Sequence, residues 1–120
     1  DVDIETLMMI DSLDMTDKGR ALIVDSCANA KEDQIIITHG TDTMTQTAME
    51  VGQKKLKKTI VLTGAMIPYK FGTSDGLFNI ASALAYVQTL PIGVYVAMNG
   101  RVFEHDKVKK NRDTGIFEEV

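Results

Sequence analysis

A chain of 120 residues, 44% hydrophobic and 25% charged, has the length and balance of one compact globular domain, and a second domain is not expected. Its formal charge of -4 argues against a nucleic-acid binder, because neutralising phosphates takes a net basic face. The single cysteine, Cys27, excludes an intrachain disulfide, and neither a membrane-length apolar span nor a signal-like start is seen, so a reducing cytoplasmic setting with no membrane partner is expected.

The chain opens DVDIETLMMI, entering an apolar run at Thr6–Ile10 almost at once, and preceding sequence is expected. DSLDMTD follows, then a helix from about Asp17 to Ala30 with Thr16 or Asp17 suited to cap it. Gln34–Thr38 reads as a strand. Thr43 with Gln46 three residues on makes a capping-box pattern for a helix from Met44 to about Leu56. TIVLT at Thr59–Thr63 is the next strand, and GAMIPYKFGTSDG a loop of turn formers. Leu77, Ile80, Ala81, Leu84 and Ala85 then repeat at helical spacing until Pro91. GVYVAM, Gly93–Met98, is the last clear strand, and the remainder reads as an irregular polar tail with room for a short hairpin.

Apolar strands separated by helices of about a dozen residues predict parallel β-α-β units with right-handed crossovers. The expected fold is α/β, in three α/β/α layers, because near-continuous apolar strands such as IIIT and TIVLT need cover on both faces. In such sheets ligands bind beyond the carboxyl ends of the strands. Asp11-Ser12, Thr38-His39-Gly40-Thr41-Asp42, Gly64-Ala65 and Asn99-Gly100 all fall at such ends.

Thr41 and Asp42 stand just before a helix start, where free N–H groups and the helix dipole favour negative charge. A threonine hydroxyl there attacks a carbonyl only if a base takes its proton, and Lys109 and Lys110 are the candidates in the tail. The plainer reading is that Thr41, Asp42 and Thr43 compete to cap a helix and that KVKK is solvated. His39 is expected to orient or pack at the strand end, and His105 to lie exposed in the tail; neither has metal-ligand company, and no metal is expected. Lys54-Lys55-Leu56-Lys57-Lys58 is expected at a helix carboxy terminus, facing the negative end of its dipole. The methionines and Cys27 read as core filling.

Together HGTDTMTQTA, TGAMIPYKFGTSDGLFN, the earlier DSLDMTD and the later MNGRVF with KVKKNRDTG resemble the amino-terminal domain of bacterial-type L-asparaginases over nearly the whole chain. The resemblance implies an amidohydrolase that converts L-asparagine, or glutamine, to the acid and ammonia through a threonine nucleophile, without cofactor and as a homo-oligomer. It implies catalytic roles for Thr41, Asp42 and Lys110, with Lys109 the other candidate for the lysine. Asp42 would also hold the substrate α-ammonium, Ser12 the α-carboxylate, and the Ala65 carbonyl would face the side-chain amide. Two departures stand out. The family's main nucleophile, a Thr in a Thr-Gly-Gly-Thr first strand, is not in these residues, so residues 1–120 are expected to be an asparaginase-like domain whose first strand lies upstream, and Leu13 replaces a residue that is polar in many relatives. The alternative is a catalytically incomplete domain that binds aspartate or asparagine, or partners an amidotransferase.

Overall fold

The computed structural model describes residues 15–66 and 75–120. Thr16 opens the first helix, α1 (Asp17–Asn29): its extended backbone and hydroxyl serve as N-cap, and Oγ1 accepts from the Gly19 N–H at 3.0 Å. Strand β1 (Gln34–Thr38) leads into α2 (Met44–Gln53), then β2 (Thr59–Thr63), α3 (Gly76–Thr89), β3 (Gly93–Met98) and β4 (Arg101–Glu104). The chain finishes in a hairpin of β5 (Val108–Lys110) and β6 (Phe117–Glu119). The run expected at Thr6–Ile10 lies outside the described residues.

The main sheet has the order β1-β2-β3-β4, with β1, β2 and β3 parallel and β4 antiparallel to β3. Side chains alternate across it. Ile60, Leu62, Val94, Val96 and Met98 pack with α1 and α2, while Val61, Tyr95 and Ala97 pack with Ala83 and Val87 of α3. All of β2 is buried, as a strand covered on both faces must be, and each such aliphatic side chain contributes about 1.5–3 kcal/mol. This is the α/β/α sandwich the sequence predicts.

The expectation of right-handed crossovers is corrected. From β1 to β2 to β3 the chain steps the same way across the sheet, yet α2 lies on one face and α3 on the other. Parallel crossovers that step alike over opposite faces have opposite hands, so one of the two departs from the usual rule.

The tail is more ordered than the sequence reading has it. Asn99 and Gly100, both with positive φ (57° and 75°), form a two-residue turn that pairs β4 with β3, and Val108 and Phe117 enter the core. His105 is half-buried rather than exposed: its N–H donates to the Val94 carbonyl at 2.9 Å, and its ring lies where a Cβ on Gly52 would come within 2.2 Å. Glycine inside α2, a cost of about 0.5–1 kcal/mol, makes room for that ring. The basic run also moves. α2 stops at Gln53, and Lys58 donates to the carbonyls of Ala30 and Glu32, so it satisfies the end of α1 instead of its own helix. Cys27, Met44 and Met98 are core filling as expected, whereas Met49 is exposed.

Candidate active site

The carboxyl ends of β1 and β2 meet closely. The His39 N–H donates to the Thr63 carbonyl at 2.8 Å, and a Cβ on Gly64 would fall 2.2 Å from the His39 oxygen, so only glycine allows this approach. Thr41 and Asp42 follow at the rim, just before α2. Thr43 occupies the N-cap position of that helix without a side-chain cap hydrogen bond, so the capping box read from Thr43 and Gln46 is not formed.

His39 holds the loop from beneath. Its Nδ1 lies 2.7 Å from the Gly40 carbonyl, which can only accept, so Nδ1 carries the proton and Nε2 accepts from the Thr47 hydroxyl at 2.9 Å. Burial, aided by the nearby Arg20 charge and opposed by the Gly40 bond, lowers the pKa of the ring and keeps it neutral. Arg20, itself buried in α1, lies 3.0 Å from Asp17 and 2.8 Å from Glu50 of α2. The latter pair is close in charge but out of line for a hydrogen bond.

The C-terminal hairpin supplies the cations. From the end of β5 the Lys110 Nζ donates to Thr41 Oγ1 at 3.0 Å and to Asp42 Oδ1 at 2.8 Å. Lys110 is 10% exposed at its side chain, Asp42 32%. Arg112 adds a bond to the same carboxylate oxygen at 3.0 Å and another to the Asp42 carbonyl at 2.5 Å. The Lys110 hydrogen bond is the main reason the Asp42 carboxyl sits below the usual carboxylate range; partial desolvation opposes it, and the Lys110 and Arg112 charges reinforce it. Thr41, Asp42 and Lys110 are therefore one hydrogen-bonded group, and within KVKK Val108 and Lys110 turn inward while Lys107 and Lys109 are solvated. Lys109, the alternative lysine, is exposed on the other side of the strand.

Ala65, half-buried, leaves β2 on the same rim, and Asn79 of α3 donates to the Gly64 carbonyl at 2.8 Å. Ser12 lies outside the described residues. Grooves beside α1 and between α1 and α2 are lined by residues such as Leu22, Asp25 and Gln53 and do not include this cluster, which charge and hydrogen bonding mark. Among the described residues no group of three His, Cys, Asp or Glu side chains is placed to hold a metal ion, and no helix is long and apolar enough to cross a membrane.

A family model described as "Asparaginase, N-terminal" matches residues 1–117. The chain belongs to the asparaginase family. It is 38% identical over 90 residues to L-asparaginase 2 of Escherichia coli, which covers 72% of this chain and 26% of that protein. It is 35% identical over 120 residues to a probable periplasmic L-asparaginase of Haemophilus influenzae, covering 93% of this chain and 34% of that one. The crystal structure of a probable cytoplasmic L-asparaginase from Campylobacter jejuni superposes with a TM-score of 0.90 at 32% identity, over 99% of this chain and 40% of the other. The chain thus spans about a third of the length of such relatives.

Arg112, Asp75 and Asn79 are the rim residues that sequence reasoning passed over. Arg112 sits inside the quoted KNRDTG motif and Asp75 inside TSDG, so position was available for both. For Asn79 the signal was a polar amide within the apolar first half of the helix.

Proposed function

We propose that this chain is the amino-terminal part of an L-asparaginase-type amidohydrolase, which hydrolyses the side-chain amide of L-asparagine to L-aspartate and ammonia through an acyl-threonine. The observation that carries the reading is the convergence of Thr41, Asp42 and Lys110 from segments far apart in sequence. With one Lys110 proton passed to solvent, the amine takes the Thr41 proton across the 3.0 Å separation as the nucleophilic oxygen adds to the carbonyl carbon. The proton then passes to the departing ammonia, and water releases the acid. Asp42 keeps Lys110 in place and offers negative charge for the substrate ammonium, Ser12 holds the α-carboxylate, and the Ala65 carbonyl accepts from the amide NH₂. Among the described residues β1 is an edge of the sheet, a position open to the family's Thr-Gly-Gly-Thr strand. A cytoplasmic homo-oligomer without cofactor completes the proposal; the buried free Cys27 agrees with a reducing setting.

One observation favours a second reading. Lys110 Nζ donates to both Thr41 and Asp42, an arrangement that holds the hydroxyl rather than deprotonating it, as befits a domain that binds aspartate or asparagine, or partners an amidotransferase, without turnover. Ammonia release from L-asparagine by the full-length protein separates the two. Steady release that vanishes in Thr41→Ala is expected; thermal stabilisation by either amino acid with no ammonia would favour the binding module, and full activity in Thr41→Ala would remove the triad.

A further inference from the structure

The peptide units on either side of Ala65 are tied to Asn79 and Asp75. Asn79 is 1% exposed, and its amide bonds on every side. Nδ2 donates to the Gly64 carbonyl at 2.8 Å and to Asp75 Oδ2 at 3.1 Å, while Oδ1 accepts from the Asn99 N–H at 3.2 Å. Asp75 Oδ2 in turn accepts from the Met66 N–H at 3.0 Å. Both peptide units flanking Ala65 are thereby held, one through its carbonyl and the other through its N–H.

Peptide planarity converts this grip into a direction. The Ala65 carbonyl shares its unit with the Met66 N–H, the described peptide bonds are trans, and in a trans unit C=O and N–H point opposite ways. Drawing the Met66 N–H onto Asp75 turns the Ala65 oxygen away from the start of α3. Ala65 itself is half-buried, on the rim rather than in the core.

We propose that Asp75 and Asn79 are positioning residues that aim the Ala65 carbonyl, and that through it they set the preference for an amide over an acid at the reacting end of the substrate. The proposal rests on the amidohydrolase reading above. A carbonyl oxygen only accepts: it pairs with an amide NH₂ and opposes a carboxylate oxygen, so its aim separates substrate from product. A merely structural role for the pair, tying the end of β2 to the β3-β4 turn, would affect both ligands alike.

The test compares kcat/KM for L-asparagine with the inhibition constant of L-aspartate in the full-length protein. Asp75→Ala is expected to lower kcat/KM by about tenfold to a hundredfold, the scale of an ångström-level misplacement, while aspartate inhibits as well as before or better. Asp75→Asn, whose side-chain oxygen still accepts from Met66, is expected to recover most of that loss. Should Asp75→Ala not fold, Asp75→Ser is too short to reach Met66 and is read the same way. Unchanged asparagine kinetics, or a parallel loss of asparagine turnover and aspartate affinity, overturns the proposal alone. A wild-type protein that releases no ammonia overturns the reading beneath it as well.

Discussion

The rim is built in two ways. At the end of β1 the groups are ions: Asp42 meets Lys110 and Arg112 across almost seventy residues of chain, and the carboxylate stays 32% exposed. At the ends of β2 and β3 the central group is a neutral amide, Asn79, which is 1% exposed with its hydrogen bonds made within the protein. The difference follows from what each must do. A group that exchanges protons needs charge and contact with solvent or substrate, and water moderates the cost of keeping three charges together. A group that fixes a peptide needs the dry interior, where a satisfied amide is rigid and an unsatisfied one is costly. The ionic rim should therefore govern proton transfer, and the amide rim stability together with the aim of the Ala65 carbonyl.

Lys110→Met tests the first half and carries the largest expected effect. In the full-length protein kcat/KM for L-asparagine should fall by about a thousandfold, within the range for a general base, which is roughly 4 kcal/mol of transition-state stabilisation. Arg112 still neutralises Asp42 in this variant, so the urea midpoint should move little. A large loss of stability with activity retained would reverse the assignment. Asn79→Leu tests the second half. It leaves the Gly64 carbonyl and the Asn99 N–H without their partner, at about 1–3 kcal/mol for each buried group, so urea unfolding should show a loss near 3 kcal/mol. An unchanged midpoint would mean that water replaces the amide and that the contrast between the rims is false.

Much of this was legible in the sequence, and the residues show why the rest was not. The strands Gln34–Thr38, Thr59–Thr63 and Gly93–Met98 end where their apolar runs end, because a strand with no polar residue in its interior has nothing to blur its limits. Motif and topology singled out Thr41, Asp42 and the pair Lys109-Lys110, the resemblance chose Lys110, and the structure brings Thr41, Asp42 and Lys110 within hydrogen-bond distance. The orientation of α3 was not. Leu77, Ile80 and Leu84 mark an apolar stripe, yet they are exposed and the buried face is Asn79, Ala83 and Val87. GLFNIASALAYVQT contains no charged residue, so its pattern cannot choose a face, and a buried asparagine is invisible until its partners on other elements are known. The crossover hand was hidden for a related reason: it depends on which face a helix covers, which periodicity does not state. The Asn99-Gly100 turn, by contrast, was in plain view as the dipeptide most suited to a two-residue hairpin.

His39 sharpens the comparison, since it puts a buried neutral group under the ionic rim. Its folded pKa lies below the unfolded value near 6.5, so between those two values the unfolded chain binds more protons and stability rises with pH. The contribution is complete above about pH 6.5 and is lost as pH falls through the folded value. Wild-type protein should therefore lose stability from about pH 6.5 downward, before the usual carboxylate range is reached. Removing the titrating ring in His39→Gln should flatten that slope, while at pH 8 the same variant is destabilised by about 1–2 kcal/mol for the imperfectly replaced bonds to Gly40 and Thr47. Urea midpoints at pH 5, 6, 7 and 8 measure both effects. If the two proteins show the same slope, His39 is not the group that couples this rim to pH.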